Sequence, residues 1–216
     1  MDLYYKQTLA NIHMWTDYLP ILFILAHATI FSWLEVEIEG ASGWAVNMPT
    51  SCAFAGWTWY HIAMNILILL TVAAVTKIYN ANFINPLEKY LATALVWAFR
   101  VVVYFCVEDI MWFVINKHYG IRKYTKNDVF WHADKLWVFG TIFLNWVALA
   151  GSILLGCIEK AATGRFTILS ETIIAATYLG IACLISLGIK YNDTAALPDK
   201  TDCFGDFSTV FNFTTN

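Results

Sequence analysis

The residues best placed to do chemistry in this sequence are acids and imidazoles at the edges of long apolar runs. Glu108 and Asp109 stand side by side in VEDIMWFVINKHYG (107–120), where a membrane helix should carry neither. Glu35, Glu37 and Glu39 close an earlier apolar run, His61 opens the next, and His118 and Trp131-His132 follow the acid pair. A charge inside a bilayer is costly, so such groups face protein or water and have partners. Imidazole with carboxylate is a donor set for Zn, Fe, Mn or Cu(II). Glu35, Glu39, His61, Glu108, Asp109, His118 and His132 are therefore candidate ligands of a transition metal ion, with Arg100 behind them. No HExxH or paired CxxC motif fixes the metal, and no nucleophile–base pair marks catalytic residues.

These side chains need elements to position them, and the composition says which kind. Of 216 residues, 59% are hydrophobic and 13% charged, and the mean hydropathy is +0.58, which predicts an all-α, polytopic bundle in a lipid bilayer. Five spans are expected, at 19–38, 57–76, 86–116, 136–158 and 171–189. Residues 1–18 read as an interfacial segment without the pattern of a cleaved signal, 19–189 as the membrane domain and 190–216 as a polar extramembrane tail. The third span starts with an N-cap and proline, Asn85-Pro86-Leu87-Glu88. It would extend roughly 46 Å, so it must tilt or leave the hydrocarbon. Ser152 and Gly156, then Ala176 and Gly180, suit close helix packing.

The span count gives the acids their geometry. Helices one and three end, and helices two and four begin, on the side of the C-terminal tail. Four distant segments thus bring Glu35, Glu39, His61, Glu108, Asp109, His118 and His132 into one leaflet. Acids at a helix C-terminus oppose its dipole, which calls for a compensating cation. Glu35 and Glu39 share a helix face, as do His61 and Asn65.

Competing arrangements use the same residues. Arg100, Tyr104 and Glu108 repeat at four, so an Arg100–Glu108 network joined by His27 or Asn65 would be purely structural. The basic residues of loop 117–135 offer the acids other partners. His27 and His61 are also a conceivable haem pair, and His27, His61, Arg100 and Glu108 an ion or proton path. Tryptophans 33, 44, 57, 59, 112, 131 and 137 map to the tail-side boundary, as an aromatic belt, a roof over the cluster or a surface for other membrane subunits.

Orientation is divided. The tail side carries Lys117, Arg122, Lys123, Lys126, Lys135, Lys190 and Lys200, against Lys6, Lys77, Lys89, Lys160 and Arg165 opposite, which favours a cytoplasmic tail. Two glycosylation sequons, Asn192-Asp193-Thr194 and Asn212-Phe213-Thr214, and a Cys52/Cys203 pair on the same side favour an extracytoplasmic or lumenal C-terminus, which is the expectation adopted. A net charge of −3 gives no reason to expect a nucleic-acid partner.

The segment EVEIEGASGWAVNMPT (35–50), Tyr60-His61, EDIMWFVINKHYG (108–120) and Trp131-His132 resembles a group of small polytopic membrane proteins of uncharacterised function. The likeness covers roughly residues 30–135 and departs from the group at Asn116-Lys117, where proline is expected after the asparagine. It implies a shared architecture and no particular activity. Three functions follow as expectations: a metal site acting on a lipid-soluble substrate, an accessory subunit of a membrane complex, or ion or proton conduction.

Overall fold

A computed structural model describes residues 2–40, 52–54, 57–77, 86–129 and 132–188, with side chains from Tyr18 onward except at 52–54, 57, 77, 88 and 163. The tail with its sequons and Cys203, and Trp44 and Trp131, lie outside the described residues. Five helices carry the fold: α1 (Asp2–Glu39), α2 (Trp59–Lys77), α3 (Pro86–Ile115), α4 (Phe143–Thr163) and α5 (Thr167–Gly188). All five contain a stretch long and apolar enough to cross a bilayer, so the chain is a multi-pass, all-α membrane protein.

Helix α1 runs without interruption from Asp2 through Pro20, and its membrane-length part begins at Tyr18. It stops at Gly40, whose positive φ of 62° returns the backbone N–H to Val36 O. Pro86 opens α3, where its missing N–H costs no helical bond. Helix α3 is the axis of the bundle and packs against the other four. Val96, Phe99, Tyr104 and Val107 on α3 meet Ile21, Ile24 and Ala28 of α1 in the buried core. Outward-facing leucines and isoleucines such as Ile30, Leu70 and Leu184 meet lipid, where their exposure has no hydrophobic cost.

Two boundaries differ from the sequence reading. The fourth span was expected from residue 136, but residues 137–142 form a hairpin of β3 (Trp137–Val138) and β4 (Thr141–Ile142). Phe139 and Gly140 turn it with φ of 47° and 77°, the positive pair that a two-residue hairpin requires. Another antiparallel pair, β1 (Cys52–Phe54) with β2 (Trp57–Thr58), leads into α2. Helix α5 begins four residues before Glu171, so that acid lies inside the helix rather than at its end.

Of the four small residues expected at helix contacts, Gly156 makes one. A Cβ there would come within 3.2 Å of the Leu169 backbone nitrogen, so α4 and α5 approach closely at this point. A Cβ on Gly180 would meet nothing within 4 Å. The aromatic belt is also divided. Trp33 and Trp59 are exposed, whereas Trp112 is buried with Phe113, Tyr124 and Val129 in a second, smaller core under loop 116–142.

Candidate functional site

Six of the seven candidate ligands line one cavity of about 200 Å³ at the tail-side end of the bundle: Glu35, Glu39, His61, Glu108, Asp109 and His132. They come from α1, α2, α3 and the loop before α4, as the span count required. The last turns of α1 and α3 supply the acids, and the first turn of α2 supplies His61. Thr58 caps α2 by accepting the His61 backbone N–H at 3.4 Å. The same hydroxyl holds His61 Nδ1 at 2.8 Å, so the nitrogen a ligand would take is Nε2. Asn65, one turn on, donates back to His61 O at 2.7 Å and braces the helix.

The acids are held unequally. Glu35 is 6% exposed, its carboxyl bonds that of Glu108, and its Oε2 is buried without a hydrogen-bond partner among the described residues. Ser32 ties the α3 backbone to α1 by donating to Glu108 O at 2.9 Å. Asp109 is more open, with His132 Nε2 at 3.8 Å from Oδ1 and the Tyr124 hydroxyl donating to Oδ2 at 3.4 Å. Burial and the Asp109 charge push the Tyr124 phenol up, which keeps it a donor at all working pH. Among the described residues, no three His, Cys, Asp or Glu side chains are already drawn together tightly enough to hold a metal ion. Ligands bound at about 2.0–2.2 Å lie roughly 3.0–3.5 Å from one another, so the Asp109–His132 separation would close by a few tenths of an ångström.

His118 is the candidate that does not join. It lies past the end of α3, where its N–H bonds Asn116 Oδ1 at 2.9 Å and its carbonyl receives Lys123 Nζ at 3.0 Å. Burial, then the charges of Lys117 and Lys123, lower its pKa. Asn116 itself is fully buried and donates to Gly40 O at 2.9 Å, joining the ends of α1 and α3.

The expected Arg100–Glu108 network is replaced by another. Arg100 instead makes a two-point ion pair with Glu171 of α5, Nε to Oε2 at 2.9 Å and Nη2 to Oε1 at 2.5 Å. Its Nη1 also reaches Thr76 Oγ1 at 3.5 Å. Arginine is thus drawn away from the acidic cavity by a carboxylate of matching fork geometry. His27 bonds the Tyr104 hydroxyl at 2.8 Å rather than pairing with His61. In the loop, Arg122 donates to Leu187 O at 2.8 Å and Lys135 lies 3.5 Å from Asp134.

Sequence reasoning passed over Glu159, Glu171, Tyr60 and Tyr124. Glu159 and Glu171 are lone acids in apolar runs, and Arg100 is the complementary lone cation, a signal that intramembrane charges are paired. Glu159 is buried and its Oε2 accepts the Ile168 N–H at 2.8 Å, capping α5 from α4. The Tyr60 hydroxyl lies buried close to the charges of Glu35, Glu39 and Glu108. No spacing rule marks either tyrosine.

Five membrane-length helices, three of which line an acidic, histidine-bearing cavity, define a multi-pass helical membrane protein with a polar site at one face. No family model, curated protein or solved structure matches the chain.

Proposed function

We propose that the tail-side cavity binds a transition metal cation and that Glu35, His61, Glu108, Asp109 and His132 are its ligands, with Glu39 beside them. The observation that carries this reading is the convergence itself, with Glu35 Oε2, which has no hydrogen-bond partner among the described residues, buried in a cavity that also holds imidazoles and further carboxyls. A buried carboxylate oxygen without a donor costs free energy that a cation would recover. Mixed nitrogen and oxygen donors suit Zn, Fe, Mn or Cu(II). A metal with an open position could activate water or oxygen against a lipid-soluble substrate.

The test is elemental analysis and calorimetric titration of the purified full chain with zinc and manganese. One ion per chain is expected, with affinity lowered tenfold or more, on the order of a lost ligand, by His61→Ala and by Glu108→Gln. Absence of stoichiometric metal, or full affinity in both variants, would overturn the reading.

The Tyr104–His27 hydrogen bond favours a second reading, proton passage. It lies on the α3 stripe between Arg100 and Glu108, so an imidazole and a phenol stand one turn from the Glu108 carboxyl. Liposome proton flux that Tyr104→Phe leaves unchanged would remove that reading.

A further inference from the structure

A second cavity, of about 410 Å³, lies between α3, α4 and α5 and neighbours the acidic site through Tyr124, which bonds Asp109. Its volume is within the ~300–1,000 Å³ typical of small-molecule sites, and such sites combine apolar walls with a few placed polar groups. Val103, Val107, Leu149, Ala175 and Leu179 are among its walls, and Tyr124, Thr141 and Asn145 form its polar end. That end has a definite hydrogen-bond inventory. Asn145 Nδ2 spends one proton on Thr141 Oγ1 at 2.9 Å and the other on the Tyr124 oxygen at 3.1 Å. Thr141 Oγ1 lies 3.4 Å from the same oxygen and donates to it, while Tyr124 donates to Asp109. All the donors are thereby committed. Asn145 Oδ1 faces only the weak Cys106 thiol, at 4.0 Å. An amide oxygen accepts two bonds, so this end of the cavity offers an acceptor and asks for a donor.

We propose that this cavity binds a neutral long-chain alcohol that enters from the bilayer and donates its hydroxyl to Asn145 Oδ1. Neutrality follows from the walls. Three uncharged groups form the polar end, a buried charge among these apolar side chains would be heavily penalised, and Asp109 behind Tyr124 repels an anion. A methyl ether or plain hydrocarbon would leave the amide oxygen unmatched. The site does not rest on metal binding in the other cavity, although the Tyr124–Asp109 bond connects the two.

The experiment uses the full chain in nanodiscs and a long-chain alcohol bearing a mid-chain diazirine, with the methyl ether, the amine and the carboxylate of equal length as comparison probes. Crosslinks from the alcohol are expected on Val103, Leu149 and Leu179, and Asn145→Leu should lower them about fivefold to tenfold, the worth of one hydrogen bond, with ether labelling unchanged. Ala176→Phe, at a lipid-accessible wall position, should block every probe without disturbing the polar end or the fold. Equal labelling by alcohol and ether, stronger labelling by amine or carboxylate, or crosslinks spread evenly over all lipid-facing helices would overturn the proposal. The last result would mean that bulk acyl chains alone fill the cavity. Metal titration of Ala176→Phe keeps the outcomes separate, since the cation reading expects that variant to bind metal normally.

Discussion

Two layers of buried charge sit on α3, two turns apart, and they are built in opposite ways. At Arg100 the protein supplies both signs: a guanidinium fork meets the Glu171 carboxylate at two points, and both residues are fully buried. At Glu108 it gathers carboxyls, with Glu35, Glu39 and Asp109 around the same cavity and the imidazoles of His61 and His132 among them, the latter 3.8 Å from Asp109. The first layer is complete in itself and ties α3 to α5. In the second, the carboxyls of Glu35 and Glu108 bond each other, and a buried oxygen of Glu35 has no donor among the described residues. A buried acid whose counter-ion is built in is part of the architecture, whereas acids gathered beside two imidazoles are what the proposed cation site would use. The presence of the first layer is what makes the second informative, because this fold demonstrably can neutralise an intramembrane carboxylate.

The comparison breaks most visibly at the complete layer. Arg100→Met leaves Glu171 buried and uncompensated and is expected to destabilise the protein by about 3–5 kcal/mol, read as thermal unfolding in detergent. Glu171→Met should cost a similar amount. The double variant Arg100→Met/Glu171→Met should recover most of the loss, since a well-packed apolar pair often replaces a buried ion pair without penalty. If each single change were as mild as the double, the pair would not be what holds α3 to α5.

At the other layer the expected pattern inverts. Glu108→Gln removes an acid from the cavity and keeps an amide able to bond Glu35, so stability without metal should change by less than about 1 kcal/mol. Function should suffer instead. In the unmodified protein, metal at roughly a hundredfold excess over Kd stabilises by about 2.7 kcal/mol, and Glu108→Gln should abolish that gain. A large loss of stability in metal-free Glu108→Gln would make the cavity a structural layer like the first.

How much of this was legible beforehand follows the same division. Helix existence and direction could be read because apolar length alone dictates them, and direction was enough to bring six acids and histidines from four segments to one cavity. His118 was misplaced because the span count locates a residue along the membrane normal and says nothing about the turn it occupies. Asn116 makes that turn through its own side chain, which carries His118 away from the cavity. The Arg100 partner was misread for a related reason: four-residue spacing finds neighbours on one helix, while Glu171 comes from a helix 71 residues away. Setting the start of the fifth span at Glu171 also hid that acid as a boundary residue. The hairpin at 137–142 was absorbed into a helix because Trp137, Val138 and Phe139 are as apolar as a span, and only Gly140 signals a break.

The smallest expected effect separates His118 from the cavity. Burial, with help from Lys117 and Lys123, holds its pKa below the usual value. As pH falls below about 6.5, an unfolded chain takes up this proton before the folded protein does. The unfolded state then binds more protons, so the contribution of His118 to stability is whole above that pH and declines through the window down to the depressed folded value. A histidine drawn into the cavity beside Glu108 and Asp109 would behave in the opposite sense, its imidazolium favoured by the acids and its folded state gaining stability on acidification. Unfolding midpoints of the protein and of His118→Asn, compared from neutral to mildly acidic pH, decide between the two. The unmodified protein should lose stability relative to the variant as pH falls, and a gain would return His118 to the cavity.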